Sequence, residues 1–117
     1  MENQQPAVSR AIVLDVPLDP ALATGRMQVR RITMGPGVAA GPHVHNGPVF
    51  GNIVEGSVVY QIKGEPESLL RVGDVFYEPA DTVIARFDAT DEGVVFFGYF
   101  PLLADQEPTL TAVEPRD

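Results

Sequence analysis

His43 and His45 are the only histidines of the chain, and one residue, Val44, separates them. In a β-strand, residues i and i+2 project to the same face. Two imidazoles can therefore stand side by side, which is how a β-protein offers a pair of nitrogen ligands to a metal. The same pair could instead act as general acid/base and hydrogen-bond donor to a substrate. The preceding run from Gly35 to Pro42, rich in glycine and proline, brings the chain round a turn and into that strand.

The elements that must position this pair are short and extended. Arg10–Val16 reads as a strand stopped by Pro17, and Asp19-Pro20 as the cap and first position of one helical turn. Further strands are expected at 27–34, 49–55, 57–63, 68–71, 75–78, 82–88 and 94–100, separated by Gly, Pro, Asp and Glu turn chemistry. With the histidine segment that makes about nine strands. No stretch keeps a 3.6-residue period over three turns, so the fold class is all-β, a single barrel. Residues 1–9 read as a disordered arm, 10–104 as the barrel and 105–117 as an irregular tail.

Composition narrows the function classes. At 117 residues the chain has room for one domain with a real core. A net charge of −8 and only one adjacent pair of arginines, Arg30-Arg31, argue against a nucleic-acid partner. No apolar run is long enough for a membrane span, no secretory leader is visible, and a cytoplasmic location is expected. The absence of cysteine removes disulfides and thiolate-bound zinc.

At this point the sequence resembles the cupin superfamily. The first motif of that family, G-x5-H-x-H-x(3,4)-E-x6-G, is matched by Gly37, His43, His45 and Gly56, with Val49 where the glutamate belongs. The second, G-x5-P-x-G-x2-H-x3-N, is matched by Gly73 and Pro79; Asp81, Ile84 and Asp88 replace the glycine, histidine and asparagine. The resemblance spans roughly Met27 to Phe100 and implies a cupin-type β-barrel, a jelly-roll-like double-stranded β-helix. It implies one divalent transition metal (Mn, Fe, Ni or Zn) held inside the barrel, with dioxygenation, isomerisation, decarboxylation or lyase chemistry. Only His43 and His45 of the four family ligands remain, so the alternative is a barrel without metal. A compensating donor could come from Gln61, Tyr77, Tyr99 or Glu78.

The candidate catalytic residues are thus His43, His45 and Arg86, the first two doubling as metal ligands. Arg86 lies two residues after Ile84 and shares its face if the strand is regular; an inward guanidinium could clamp a substrate carboxylate. Arg30 and Arg31 straddle the two faces of their strand, so one of them could point inward. Val49, Gln61, Tyr77, Ile84 and Tyr99 are the candidate substrate-binding residues, Val49 and Ile84 giving an apolar floor. Phe96, Phe97, Tyr99 and Phe100 make both faces of one strand apolar, which suggests a homodimer. Two functions follow: an enzyme acting on a small organic molecule, a carboxylate being one candidate, or a non-catalytic, metal-free barrel that binds or senses a small ligand.

Overall fold

The computed structural model describes residues 7–113. Seven strands form in this span: β1 (Arg26–Met34), β2 (His43–His45), β3 (Val49–Ile62), β4 (Ser68–Arg71), β5 (Val75–Glu78), β6 (Ile84–Leu102) and β7 (Leu110–Ala112). All pairings are antiparallel. The sheet runs β4-β3-β6-β2-β7, with β1 joined to β6 and β5 to β3. The two long strands, β3 and β6, are the spine on which it rolls into an all-β barrel of the jelly-roll, double-stranded β-helix kind. No helix forms among the described residues, and none is long and apolar enough to cross a membrane.

Alternation along these strands separates an interior from an exterior. Val94, Phe96 and Phe100 point inward and are buried, while Val95, Phe97 and Tyr99 face outward and are half-buried. Phe76, Phe87 and Phe96 meet in the interior with ring centroids 4.9–5.7 Å apart, and Tyr60 packs against the first two. Val58, Ile53 and Ile84 fill the spaces between them.

Two expected turns are bulges. The chain does not reverse at Glu55-Gly56 or near Gly93; instead β3 and β6 continue, with register shifts at Ile53/Glu55 and Gly56/Val58. Gly56 has φ +72°, and a Cβ there would lie 2.0 Å from the Gly93 carbonyl oxygen. The two backbones touch at this crossing, and only glycine permits that. Four expected strands thereby become two.

Three further expectations are corrected. Among the described residues, Arg10–Val16 forms no strand, and no helical turn forms at Asp19-Pro20. The tail is not irregular throughout, because Leu110–Ala112 returns as β7 and pairs with β2. The proposed arm, 1–9, lies mostly outside the described residues, as do positions 114–117.

Candidate metal centre

Strand β2 is only three residues long, so its position is set by its neighbours. On one side His43 pairs with Ile84 of β6; on the other, His43, Val44 and His45 pair with Ala112, Thr111 and Leu110 of β7. The His45 carbonyl also accepts a hydrogen bond from the Asp81 amide at 2.9 Å. Asp81 stands at φ +56°, the left-handed conformation that the family's glycine would supply without strain and that Asp tolerates better than most residues. The turn after β5 thus keeps its shape although its glycine is gone, and it holds β2 in place.

The imidazoles of His43 and His45 stand edge to face with centroids 4.9 Å apart. Between them comes the carboxylate of Glu78, the last residue of β5, which is inward because Phe76 is. Its Oε1 lies 2.7 Å from His45 Nε2 and 3.5 Å from His43 Nε2. Nδ1 of His43 is 2.8 Å from the Gly41 carbonyl, a contact that requires the proton on Nδ1 and leaves the Nε2 lone pair for a ligand.

Burial makes this cluster unusual. His43 and Glu78 are 2% and 4% exposed, and the His45 side chain opens only slightly more. Oε1 of Glu78 is buried and makes no hydrogen bond of acceptable geometry despite its nearness to both rings. A buried carboxylate oxygen in that condition is costly unless something else meets it. The donor atoms of the three residues lie within 4.8 Å of one another, so His43, His45 and Glu78 could hold a metal ion.

The electrostatics agree with that geometry. Burial works against the His43 imidazolium, but the Glu78 carboxylate and the Gly41 carbonyl outweigh it and hold His43 above the ordinary histidine value. Burial would likewise raise Glu78, yet the two imidazoles hold its carboxyl below the ordinary glutamate value. Two nitrogens and one carboxylate form the donor set of several catalytic zinc sites and of the two-histidine, one-carboxylate iron sites, both of which keep positions open for substrate.

The other sequence candidates scatter. Val49 and Ile84 line the interior, buried at 4% and 0%, opposite Glu78 and His43 respectively. Tyr77 and Tyr99 face outward: Tyr77 stacks on Phe50, and the Tyr99 hydroxyl donates to Asn52 Oδ1 at 2.6 Å. Gln61 also points out and donates to the Glu65 carbonyl. Arg86 is exposed and pairs with Glu67 and Asp88. The cause is the register shift at Gln61/Ile62, which leaves Ala85 as an extra residue and reverses the parity, so that Ile84 and Phe87 are buried while Arg86 is not.

Two residues, Tyr60 in the interior and Arg30 exposed on the inward parity of β1, carry no motif signal. Tyr60 packs on the aromatic cluster and donates its hydroxyl to the Tyr77 carbonyl; burial, then the charge of Glu78, pushes its phenol up. Arg30 is on the inward parity of β1, with its guanidinium 5.2 Å from the Phe100 ring centroid, and Phe100 in turn packs edge-on to His45. Gly98 makes room for that ring, since a Cβ there would come within 2.9 Å of it. Arg30 donates to Gln28 and forms no ion pair among the described residues. A groove of about 450 Å³ lies elsewhere, between loop 18–22 and the turns at 46–48 and 79–82, and contains none of the three donors.

Comparison with known proteins places these features in a family. Residues 30–97, more than half of the chain, match the cupin domain, and the protein belongs to that family. No curated relative matches the sequence. Among solved structures, the DMSP lyase DddQ from Ruegeria pomeroyi DSS-3 superposes with a TM-score of 0.65 at 18% identity, covering 78% of this chain and 45% of its own. An oxalate oxidase in complex with the substrate analogue glycolate gives 0.63 at 20%, covering 74% and 46%. A cupin-like protein from Thermotoga maritima gives 0.63 at 28%, covering 75% and 67%. The chain thus spans less than half the length of the lyase and the oxidase, and its likeness to them is one of fold.

Proposed function

We propose that this chain is a metal-dependent cupin enzyme acting on a small organic carboxylate. The observation that carries the reading is the Glu78 carboxylate, buried between two imidazole Nε2 atoms with one oxygen lacking a hydrogen bond. His43, His45 and Glu78 would hold one divalent transition ion, which when bound supplies Lewis acidity or a site for oxygen chemistry. The support from known structures is that neighbours of the same fold include a DMSP lyase and an oxalate oxidase.

The chain's own residues then divide the work. Gly41 fixes the His43 tautomer. Val49, Ile84 and Phe100 form dry walls that keep water from the donors. Arg30, exposed on the inward parity of β1 and in no ion pair among the described residues, supplies a cation suited to bidentate capture of a substrate carboxylate. It takes the role that the sequence offers to Arg86. The competing reading, a metal-free barrel that binds or senses a ligand, draws on Val49 and Ile84 occupying two ligand positions of the family.

The test is a screen of metal-loaded protein against small mono- and dicarboxylates, followed by Arg30→Gln and Arg86→Gln. Loss of a charge-assisted hydrogen-bond pair should weaken carboxylate binding by about 10- to 100-fold in Arg30→Gln. Arg86→Gln should leave it unchanged. Equal behaviour of the two variants would remove Arg30 from the site.

A further inference from the structure

We propose that the C-terminal strap, residues 103–113, is a metal-linked latch whose docking on the histidine strand β2 and metal binding strengthen each other. The inference rests on the metal reading given above. Hydrogen bonds to the strap bracket both histidines. At one end the Val113 amide donates to the Pro42 carbonyl at 2.9 Å; at the other the Asn46 amide donates to the Thr109 carbonyl at 3.3 Å. Between them His43, Val44 and His45 pair with Ala112, Thr111 and Leu110. The barrel side of the same strand has one register pair, His43 with Ile84, and the Asp81 amide on the His45 carbonyl. The greater part of the ladder that fixes the two imidazoles therefore comes from the strap.

Asn46 is the residue that fastens it. Directly after His45, it grips the strap with its side chain as well as its backbone. Its Nδ2 donates to the Glu107 carbonyl at 3.1 Å, and its Oδ1 accepts from the Thr109 amide at 3.0 Å. Nearer the barrel, the Arg26 guanidinium donates to the Ala104 and Gln106 carbonyls at 2.9 Å and pairs with Glu107.

The end of the strap that lies on β2 has no core contact to hold it. Leu110, Thr111 and Ala112 are all exposed, and none contributes to the buried core. A segment held by solvent-exposed hydrogen bonds, without buried apolar contacts, is among the first to open. Opening leaves β2, three residues long, paired on one side only, and loosens two of the three donors. His43, His45 and Glu78 closing on one ion hold β2 from within and so favour the docked strap. By linkage, the docked strap raises metal affinity by the same factor.

Hydrogen exchange on the full chain, in chelator and with Zn²⁺ or Mn²⁺, combined with calorimetric metal titration, tests this in wild type, Thr111→Pro, Thr111→Val and Asn46→Ala. The bonds at Pro42–Val113 and Asn46–Thr109 make Val44–Thr111 the hydrogen-bonded pair between them, by antiparallel alternation. Thr111 is exposed, so proline there removes a ladder amide without touching the core, whereas valine keeps the strand. In chelator, Thr111→Pro should speed exchange at 43–46 and 109–113 by at least about tenfold, with β3 and β6 still protected. Metal should slow exchange at 109–113 in the wild type by about tenfold, and Thr111→Pro should lose metal affinity by a similar factor. Asn46→Ala should change both readings in the same direction, and Thr111→Val neither. Metal binding that leaves exchange at 109–113 unchanged, or a Thr111→Pro that binds metal as tightly as wild type, would overturn the coupling alone. A wild type that binds neither ion would contradict the metal reading, and the coupling would fall with it.

Discussion

Val49 and Glu78 are cross-strand partners, directly opposite each other where β3 pairs with β5. Val49 occupies the position at which the cupin motif has its ligand glutamate, and Glu78 stands next door on the same inner face. Side chains directly opposed in an antiparallel pair have Cβ atoms about 5 Å apart, so a carboxylate can reach the same point from either strand. The donor missing from β3 is present on β5. The third family histidine, replaced by Ile84, has no such substitute; Ile84 pairs with His43 and forms the wall beside it.

This relationship predicts that the carboxylate can be moved back. Glu78→Val should lower divalent-metal affinity by at least about 100-fold, since even an outer-shell partner is worth 10- to 100-fold. Val49→Glu/Glu78→Val should recover a large part of it, because the total volume and the charge of the pair are kept. Calorimetric titration with Mn²⁺ or Zn²⁺ reads both. No recovery in the double variant would mean that the two positions do not address a common point.

The Glu78–histidine cluster also sets a pH dependence for the metal-free protein. Glu78 is held below its ordinary value of 4.5, so its contribution to stability is present above that pH and is lost as pH falls through its folded value. His43 is held above 6.5, so its contribution is complete below that pH and is lost as pH rises through its folded value. The melting-temperature advantage of wild type over Glu78→Gln, in chelator, should therefore be largest between pH 4.5 and 6.5. An advantage that keeps growing above pH 8 would contradict the assignment.

Asp81 gives a purely conformational prediction. Asp81→Gly keeps the left-handed turn and the amide that holds His45, so stability should change by no more than about 1 kcal/mol. Asp81→Val places a β-branched residue at φ +56° and should cost about 1–2 kcal/mol more than Asp. Metal affinity should fall with it, because the hydrogen bond from residue 81 positions His45. Urea unfolding measures the first effect and metal titration the second.

Much of this was legible in the residues. The His-x-His pair and its turn, the all-β class and the inward placement of Val49 and Ile84 follow from period-2 alternation and motif spacing. Glu78 was visible only as one of four possible donors, since nothing local says which strand β5 will face. Its inward parity with Phe76 in Val-Phe-Tyr-Glu was the available signal. Arg86 misleads because a bulge at Ala85 reverses parity, and bulges leave little trace in composition. Strand β7 is hidden for another reason. Leu110–Ala112 is three residues long, and only the edge that β2 offers makes it a strand.

The central claim is that Glu78 completes a three-donor metal centre with His43 and His45. Its most direct test is metal stoichiometry: chelator-stripped protein, dialysed in turn against Mn²⁺, Fe²⁺, Ni²⁺ and Zn²⁺ and assayed by elemental analysis, beside His43→Ala and Glu78→Gln. The account predicts close to one ion per chain for at least one metal in the wild type, and loss of that ion in both variants. No bound metal under any condition, or full occupancy retained in Glu78→Gln, would contradict it.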